Sequence, residues 1–257
     1  MPPLHTDSTR RFSDRVKHYM RYRPTYPAGV LDILRDSTEL APADAIADIG
    51  SGTGISAELF LKNGNTVFGV EPNAAMRQAA ETVLQPYPTF HSVAGTAEST
   101  TLPSQSVDYV LAAQAFHWFD ANQARQEFAR ILRPGGWQVL IWNSRRIEST
   151  PFLRAYESLL QRYGTDYREV RHKSGDREML RSFFTSGTFE LHSLDNEQRF
   201  DFVGLKGRLL SSSYTPNEGH PNCQSMLNEL ARIFSRYEDR GCVCIEYDTQ
   251  IYLGRDI

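Results

Sequence analysis

No stretch of this chain stays apolar for the roughly 18 residues that a membrane span requires. The opening residues, MPPLHTDSTRRFSD, carry no hydrophobic segment of the secretory kind, so the expected location is the cytosol. Cysteine is scarce, with three in 257 residues, which excludes a disulfide framework. Cys242 and Cys244 stand two apart in an apparent strand, with His220 and Cys223 upstream, but a closed zinc site needs four ligands converging in a tetrahedron. The pattern reads as small strand side chains beside an unrelated loop, and no metal is assigned. Excess charge is missing too. A formal net charge of −3 supplies no bulk attraction to nucleic acid or to an anionic membrane, so such a partner would need a local patch. Internal repeats and low-complexity tracts are also absent.

What is present suits a soluble globular fold: 40% apolar and 23% charged residues in a chain long enough to bury a full core. One domain spanning 1–257 is expected. A helix is expected over Ser13 to Tyr22, closed by Arg23-Pro24 because a proline biases its predecessor away from helical geometry, and a second over Pro27 to Arg35. Apolar strand patterns follow at 45–49, 66–71, 90–95, 107–114 and 137–143, separated by helical patterns through AELFLKNG, NAAMRQAAETVL and NQARQEFARILR. Strands alternating with helices of this length predict a parallel sheet covered on both faces. LRPGGW (132–137) reads as a helix end, stopped by Pro134, and a tight turn into the fifth strand. After Asn143 the rhythm changes. Residues 147–187 read as helical and irregular, rich in Arg, Tyr and Phe, and two late strands at 189–196 and 242–253 flank helical stretches near 202–212 and 222–238. The cofactor core is placed at 40–143, N-terminal lid helices at 13–35, and acceptor-side cap segments at 144–187 and 200–238.

DIGSGTG (48–54) puts glycines at 50, 52 and 54 behind an aspartate and an apolar strand. Glycine turns sharply and lets a ligand approach the backbone without meeting a Cβ. In open parallel sheets the ligand crevice lies at the carboxyl ends of the strands, and the amides at the following helix start favour an anionic group nearby. The loop therefore reads as a cofactor cradle. A dinucleotide fingerprint would need glycine at position 55, which is Ile55, and no lysine follows to make a phosphate-binding loop. Glu71, ending the second strand, sits where a carboxylate accepts hydrogen bonds from a ribose diol. A short loop, a ribose carboxylate and no pyrophosphate fingerprint point to a nucleoside cofactor without a diphosphate; S-adenosylmethionine meets that description, and Asp48 is placed to engage its ammonium directly or through water.

ADIGSGTG, VFGVEPNAAM, AGTAES, LAAQAFHWF and LRPGG, in that order, resemble the successive motifs of the class I S-adenosylmethionine-dependent methyltransferases, in particular the small-molecule type called methyltransferase domain 11. The similarity covers Ala45 to Asn143, and YMRYRPTYP (19–27) resembles an N-terminal segment found in part of the group. The resemblance implies a Rossmann-like, seven-stranded, mostly parallel α/β sheet with an antiparallel last strand, helices on both faces and helical lid segments. It implies that Asp48, Gly50, Ser51 and Gly52 line the methionine side, that Glu71 takes the ribose hydroxyls, and that Met76 lies against the adenine. Ala97 and Glu98 would border the adenine edge, the Ala97 amide suited to a ring nitrogen and Glu98 to the exocyclic amine, and Gln114 would close the floor near the methionine chain. The implied activity is transfer of the sulfonium methyl to an O, N, S or C nucleophile of a small organic molecule, by a monomer or homodimer. An RNA or protein methyltransferase, or a non-catalytic S-adenosylmethionine-binding protein, stays open as an alternative.

QAFHWF (114–119) follows the fourth strand and puts three aromatics and a histidine at the mouth of the cleft. A sulfonium methyl needs little activation, so the site must chiefly align the reactants and exclude water, and aromatic walls also interact favourably with the sulfonium charge. His117 is the candidate catalytic residue, either taking a proton from the acceptor or holding it in line. Residues 10–23 hold six Arg or Lys against one Asp. They read as a lid in which Arg23 meets the methionine carboxylate with Tyr19 beside it, as an RNA-facing patch, or as a solvated helix. Arg145-Arg146 is either an orienting pair for an anionic acceptor or a solvated pair.

Overall fold

The computed structural model describes residues 20–165, 167, 183–184, 189–216 and 219–255. The expected strands form as β1 (Ala45–Ile49), β2 (Thr66–Val70), β3 (Phe90–Val93), β4 (Val107–Ala113), β5 (Leu132–Arg145), β6 (Glu190–Phe200) and β7 (Val243–Arg255). They make one seven-stranded sheet in the order β3-β2-β1-β4-β5-β7-β6. The pairs among β1 to β5 are parallel, while β7 runs antiparallel to both β5 and β6. The helices are α1 (Gly29–Thr38), α2 (Ile55–Lys62), α3 (Ala74–Leu84), α4 (Ala121–Ile131), α5 (Pro151–Tyr163), α6 (Phe202–Leu210) and α7 (Cys223–Tyr237). Several start where the sequence offers a cap. Asn73 accepts from the amides of Ala75 and Met76, Asp120 from Asn122 and Gln123, Thr150 from Leu153, and Asp201 from Gly204.

Strand alternation sorts the core into two layers. Val110 and Ala112 of β4, with Leu140 and Trp142 of β5, face Ala124, Phe128 and Ile131 of α4 together with Phe183 and Phe184. Their neighbours Tyr109, Leu111, Val139 and Ile141 face Leu34 of α1, Phe60 of α2 and Leu84 of α3. A third cluster covers the far ends of β6 and β7, where Phe200, Ile245 and Tyr247 pack with Tyr156 of α5, Leu205 of α6 and Leu230 of α7. Because β1 lies between β2 and β4, the chain leaves it in one direction towards β2 and β3 and later returns on the other side. The loops after β1 and β4 therefore diverge and open a crevice at the carboxyl ends of both strands.

Three details depart from the sequence reading. The second helix spans Gly29–Thr38 rather than 27–35. Extended backbone begins at Leu132, before Pro134, which therefore does not stop the helix. The β4/β5 register jumps from Val107↔Leu132 to Tyr109↔Trp137, so the intervening residues bulge out of the ladder instead of forming a separate turn. Of the first expected helix, residues 20–22 are helical and the helix ends before Arg23; its earlier residues lie outside the described ones.

The segment after that helix is stapled to the sheet by amides. Asn143 of β5 accepts at its Oδ1 from Thr249 Oγ1 (2.6 Å) and Asn196 Nδ2 (3.1 Å), and its Nδ2 donates to the Thr25 carbonyl at 3.3 Å. Asn196 Nδ2 also donates to the Thr25 carbonyl (2.9 Å), and Gln198 Nε2 to that of Tyr22 (3.2 Å). The Tyr22 ring lies over Gly207 so closely that an added Cβ would stand 2.1 Å from it. Replacing Asn143, which is 8% exposed, with leucine strands buried partners of several hydrogen bonds at once. It is expected to cost about 2–4 kcal/mol in urea denaturation and to speed proteolysis between Arg21 and Arg23; a variant with wild-type stability and cleavage rate would show that the network holds nothing.

Candidate functional site

The glycine loop is held from below and from the side. The amides of Gly50 and Ser51 donate to the Val70 carbonyl at the end of β2, at 2.8 and 3.2 Å. Glu71, the next residue, reaches back with its carboxylate: Oε2 accepts from the Gly52 amide (3.0 Å) and Oε1 from the Asn73 amide (2.8 Å). Each oxygen keeps a second acceptor position. All three glycines of the loop have positive φ, and Gly50 and Gly52 use it for different ends. At Gly50, φ is 69° and a Cβ would lie 2.6 Å from that of Ala115, so the loop after β4 presses directly on the backbone. At Gly52, φ is 56° and a Cβ would meet nothing within 4 Å. That open space above bare backbone is the cradle.

Two buried carboxylates flank it. Asp48, at 0% exposure, receives a 2.6 Å hydrogen bond from Ser56 Oγ at one oxygen, while the other, Oδ1, is buried with no hydrogen-bond partner. Burial pushes its pKa from 3.8 to about 7, with Glu71 adding repulsion against the relief given by Ser56 and the Ala57 amide. Burial likewise raises Glu71, offset in part by the amides of Asn73 and Gly52 and by Arg77. An orphaned acceptor beside a second carboxylate suits a cationic N–H donor, which would satisfy the lone pair and neutralise the charge together.

From the glycine loop a cavity of about 210 Å³ runs towards the helices over β6 and β7. Arg23, Gly50, Ser51, Gln114 and His117 all line it, so five of the residues singled out in the sequence converge there. Gln114 has φ 57° and donates from Nε2 to the Asn143 carbonyl at 3.1 Å. Met76, 3% exposed, stands in the first turn of α3, and Ala97, 4% exposed, in the tight turn that Thr96 and Ser99 close. Glu98 accepts the Asp120 amide at 2.9 Å and ties that turn to the start of α4. Tyr19 lies outside the described residues.

The three aromatics expected at the mouth divide between core and cleft. Phe116 is 1% exposed and packs edge-on against Phe119, Trp142 and Phe183. Only His117 and Trp118 of QAFHWF after Gln114 reach the cavity. Residues 116–118 form a 3₁₀ turn, in which successive side chains point about 120° apart, so consecutive aromatics cannot share one wall. The Arg145-Arg146 pair divides too. Arg145 enters the cavity wall, while Arg146 binds Asp248 at 2.6 Å and also Asp195. At the cap end the wall includes Trp142, Tyr167, Arg208, Tyr214 and Tyr247, none of which the sequence singled out. For Tyr167 the one signal was the richness of 147–187 in Arg and Tyr, a compositional cue without a position; the other four lie outside that stretch.

The raised Asp48 pKa has a measurable sign. The folded protein holds a proton that the unfolded chain releases above about pH 4, so stability conferred by the protonated form is lost as pH rises from about 4 to 7. The loss is on the order of 4 kcal/mol at the conversion of 1.36 kcal/mol per pKa unit. Asp48→Asn, which stays neutral, is expected to flatten the fall in denaturant-derived stability across that window; an unchanged pH slope would mean that Asp48 titrates normally.

Comparison with known proteins agrees with this geometry. Residues 47–140 match the family described as a methyltransferase domain. An uncharacterised methyltransferase of Mycobacterium tuberculosis is 36% identical over 63% of this chain, an alignment that spans 64% of that protein's own length. An uncharacterised methyltransferase-like protein of Schizosaccharomyces pombe is 30% identical over 95% of this chain and 94% of its own. In fold, the chain resembles a candidate type II methyltransferase from Anaeromyxobacter dehalogenans, with a TM-score of 0.71 over 91% of this chain and 98% of that one at 24% identity. The cradle and crevice at the carboxyl ends of β1 and β4, the family match and a near full-length relative lead to one conclusion: the chain belongs to the S-adenosylmethionine-dependent methyltransferases, a family of enzymes.

Proposed function

We propose that the protein binds S-adenosylmethionine over the glycine loop and methylates a small organic molecule held at the cap end of the cavity. The observation that carries the reading is the open space above Gly52, bracketed by the buried carboxylates of Asp48 and Glu71. The orphaned Asp48 Oδ1 fits the methionine ammonium, and the free acceptor positions of Glu71 fit the ribose diol. Arg23 on the opposite wall suits the methionine carboxylate, and Gln114 closes the floor. Met76, Ala97 and Glu98 are assigned to the adenine side. When bound, the cofactor supplies a methyl carbon on a sulfonium; transfer forms a bond from that carbon to the acceptor nucleophile and leaves the C–S electron pair on a neutral thioether. The chain's own work is alignment and exclusion of water, with segments 144–187 and 200–238, parts of which lie outside the described residues, as the acceptor-side cap and Trp118 as wall beside the reacting centre.

His117 lines the same cavity beside Trp118, with ring centroids 4.9 Å apart. It is assigned to the acceptor half, to receive the acceptor's proton or to hold the nucleophile in line. His117→Asn is expected to lower turnover by about 10²–10⁴ and to remove a pH limb near neutrality when the residue accepts the proton. A smaller loss with the limb retained assigns it to positioning, and weakened cofactor binding alone would put it in the wrong half.

Calorimetry of the full chain is expected to show S-adenosylmethionine and S-adenosylhomocysteine binding, with no heat from NAD. Glu71→Ala removes a charge-assisted acceptor worth about 1.5–3 kcal/mol, so the cofactor dissociation constant is expected to rise at least about tenfold. Absence of any heat or melting shift at millimolar S-adenosylmethionine would sink the assignment.

A further inference from the structure

Orphaned hydrogen-bonding groups of opposite sign lie at and near the two ends of the cavity. Behind the glycine loop, outside the cavity lining, the orphan is an acceptor, Asp48 Oδ1. At the cap end the orphans are donors: Arg145 Nη1 and Trp142 Nε1 are both buried with no hydrogen-bond partner, and both residues line the cavity. Arg208 stands on the same wall at 6% exposure. Its Nε donates to Tyr247 Oη at 3.1 Å and its Nη1 to Ser212 Oγ at 3.0 Å, and no carboxylate among the described residues pairs with it. Among the described residues the wall carries three guanidiniums, of Arg23, Arg145 and Arg208, and no Asp or Glu.

A buried guanidinium without a counter-ion is expensive, because its charge cannot be removed by deprotonation. The charges nearby do not cancel it. Glu157 sits behind Arg145 and bonds it at 2.5 Å. Burial acts against the ionised carboxyl of Glu157, but hydrogen bonds from Tyr167, Gln161 and Arg145 together hold its pKa below the ordinary value, so it neutralises one guanidinium. Arg208 has no such carboxylate among the described residues, and its hydrogen-bond partners are the neutral hydroxyls of Tyr247 and Ser212. Burial acts against ionisation of the Tyr214 phenol, yet Arg208, Arg145 and Arg23 together lower its pKa, which reports the same surplus of positive potential. Planar guanidinium forks beside an unpartnered indole N–H recognise a ligand that only accepts hydrogen bonds.

We propose that the methyl acceptor is a small organic acid, anchored by its carboxylate between Arg208 and Arg145 at the cap end of the cavity. This rests on the methyltransferase reading, since the anchor lies beyond the place assigned to the cofactor. Arg208 and Arg145 come from α6 and the end of β5, outside the glycine loop, so acceptor affinity and cofactor affinity are separable by mutation.

The test uses the full chain saturated with S-adenosylhomocysteine and a panel of C3–C10 aliphatic and aromatic mono-, di- and tricarboxylates. Their primary amides and inorganic phosphate serve as controls, with binding read by calorimetry. In parallel, the same compounds are incubated with methyl-labelled S-adenosylmethionine. The expected result is that at least one carboxylate binds and takes label while its amide does neither. Arg208→Gln should then weaken that carboxylate by about 100-fold or more, and Arg145→Gln by about tenfold or more, with the S-adenosylhomocysteine dissociation constant changed less than twofold. Arg208→Lys keeps the charge without the fork and should fall between wild type and Arg208→Gln; it serves where Arg208→Gln lowers the melting temperature. Normal S-adenosylhomocysteine binding with no carboxylate bound overturns the anchor and leaves the methyltransferase reading intact. Phosphate binding in place of carboxylates, or amides binding as well as acids, overturns it too. Failure of S-adenosylhomocysteine itself to bind defeats the underlying reading.

Discussion

A carboxylate buried at the end of β1 with one oxygen unbonded is the constraint around which the cleft is arranged. Asp48 is wholly shielded from water, and with a single hydroxyl as its side-chain partner its ionised form is poorly supported. A fold tolerates such a group where another requirement outweighs the desolvation cost. Here the group lies beside a glycine loop whose Gly52 amide is held by the Glu71 carboxylate. The Ser56 hydroxyl fixes one oxygen, and the other keeps its lone pairs for whatever enters.

The opposite end of the cavity is built on the reverse principle. Buried arginines and an indole N–H supply donors in excess, and Glu157 stands behind the wall, within reach of Arg145 and Tyr167. The lining is thus donor-rich beneath the cap, while the unbonded acceptor, Asp48 Oδ1, lies behind the glycine loop. A zwitterionic ligand and an anionic one placed head to tail would match that gradient. The Asn143 network ties this polarity to the fold, because the same side chain braces the segment that carries Arg23 and, through its carbonyl, Gln114 on the cavity floor.

Much of the sheet was legible because its signals are local. An apolar run such as AIADI between turn residues admits few structures, and repetition of strand, loop and helix leaves a doubly covered parallel sheet as the natural arrangement. Glycine spacing in DIGSGTG and the carboxylate at Glu71 are equally local, and the structure brings them together by the Gly52 to Glu71 hydrogen bond. Phe116 shows where such reading ends. Its neighbours in sequence suggested a cleft wall, but the 3₁₀ turn rotates its ring into the core and leaves His117 and Trp118 outside. Pro134 is similar: a residue that usually stops helices lies in a bulge of β5 instead, since the helix had already ended at Ile131.

By itself the amino-acid sequence determined the order of the elements, the family and the glycine loop at the end of β1, since each depends on residues within one turn, strand or short motif. Only the tertiary structure decided the far wall of the cavity. Arg145, Arg208, Tyr214 and Tyr247 come from β5, α6, the stretch after it and β7, and up to about a hundred residues of chain separate them. Each alone is an ordinary arginine or tyrosine in a helix, loop or strand. Their charge and hydrogen-bonding preference acquire meaning through burial in one place, and burial depends on long-range packing that no short stretch of sequence records.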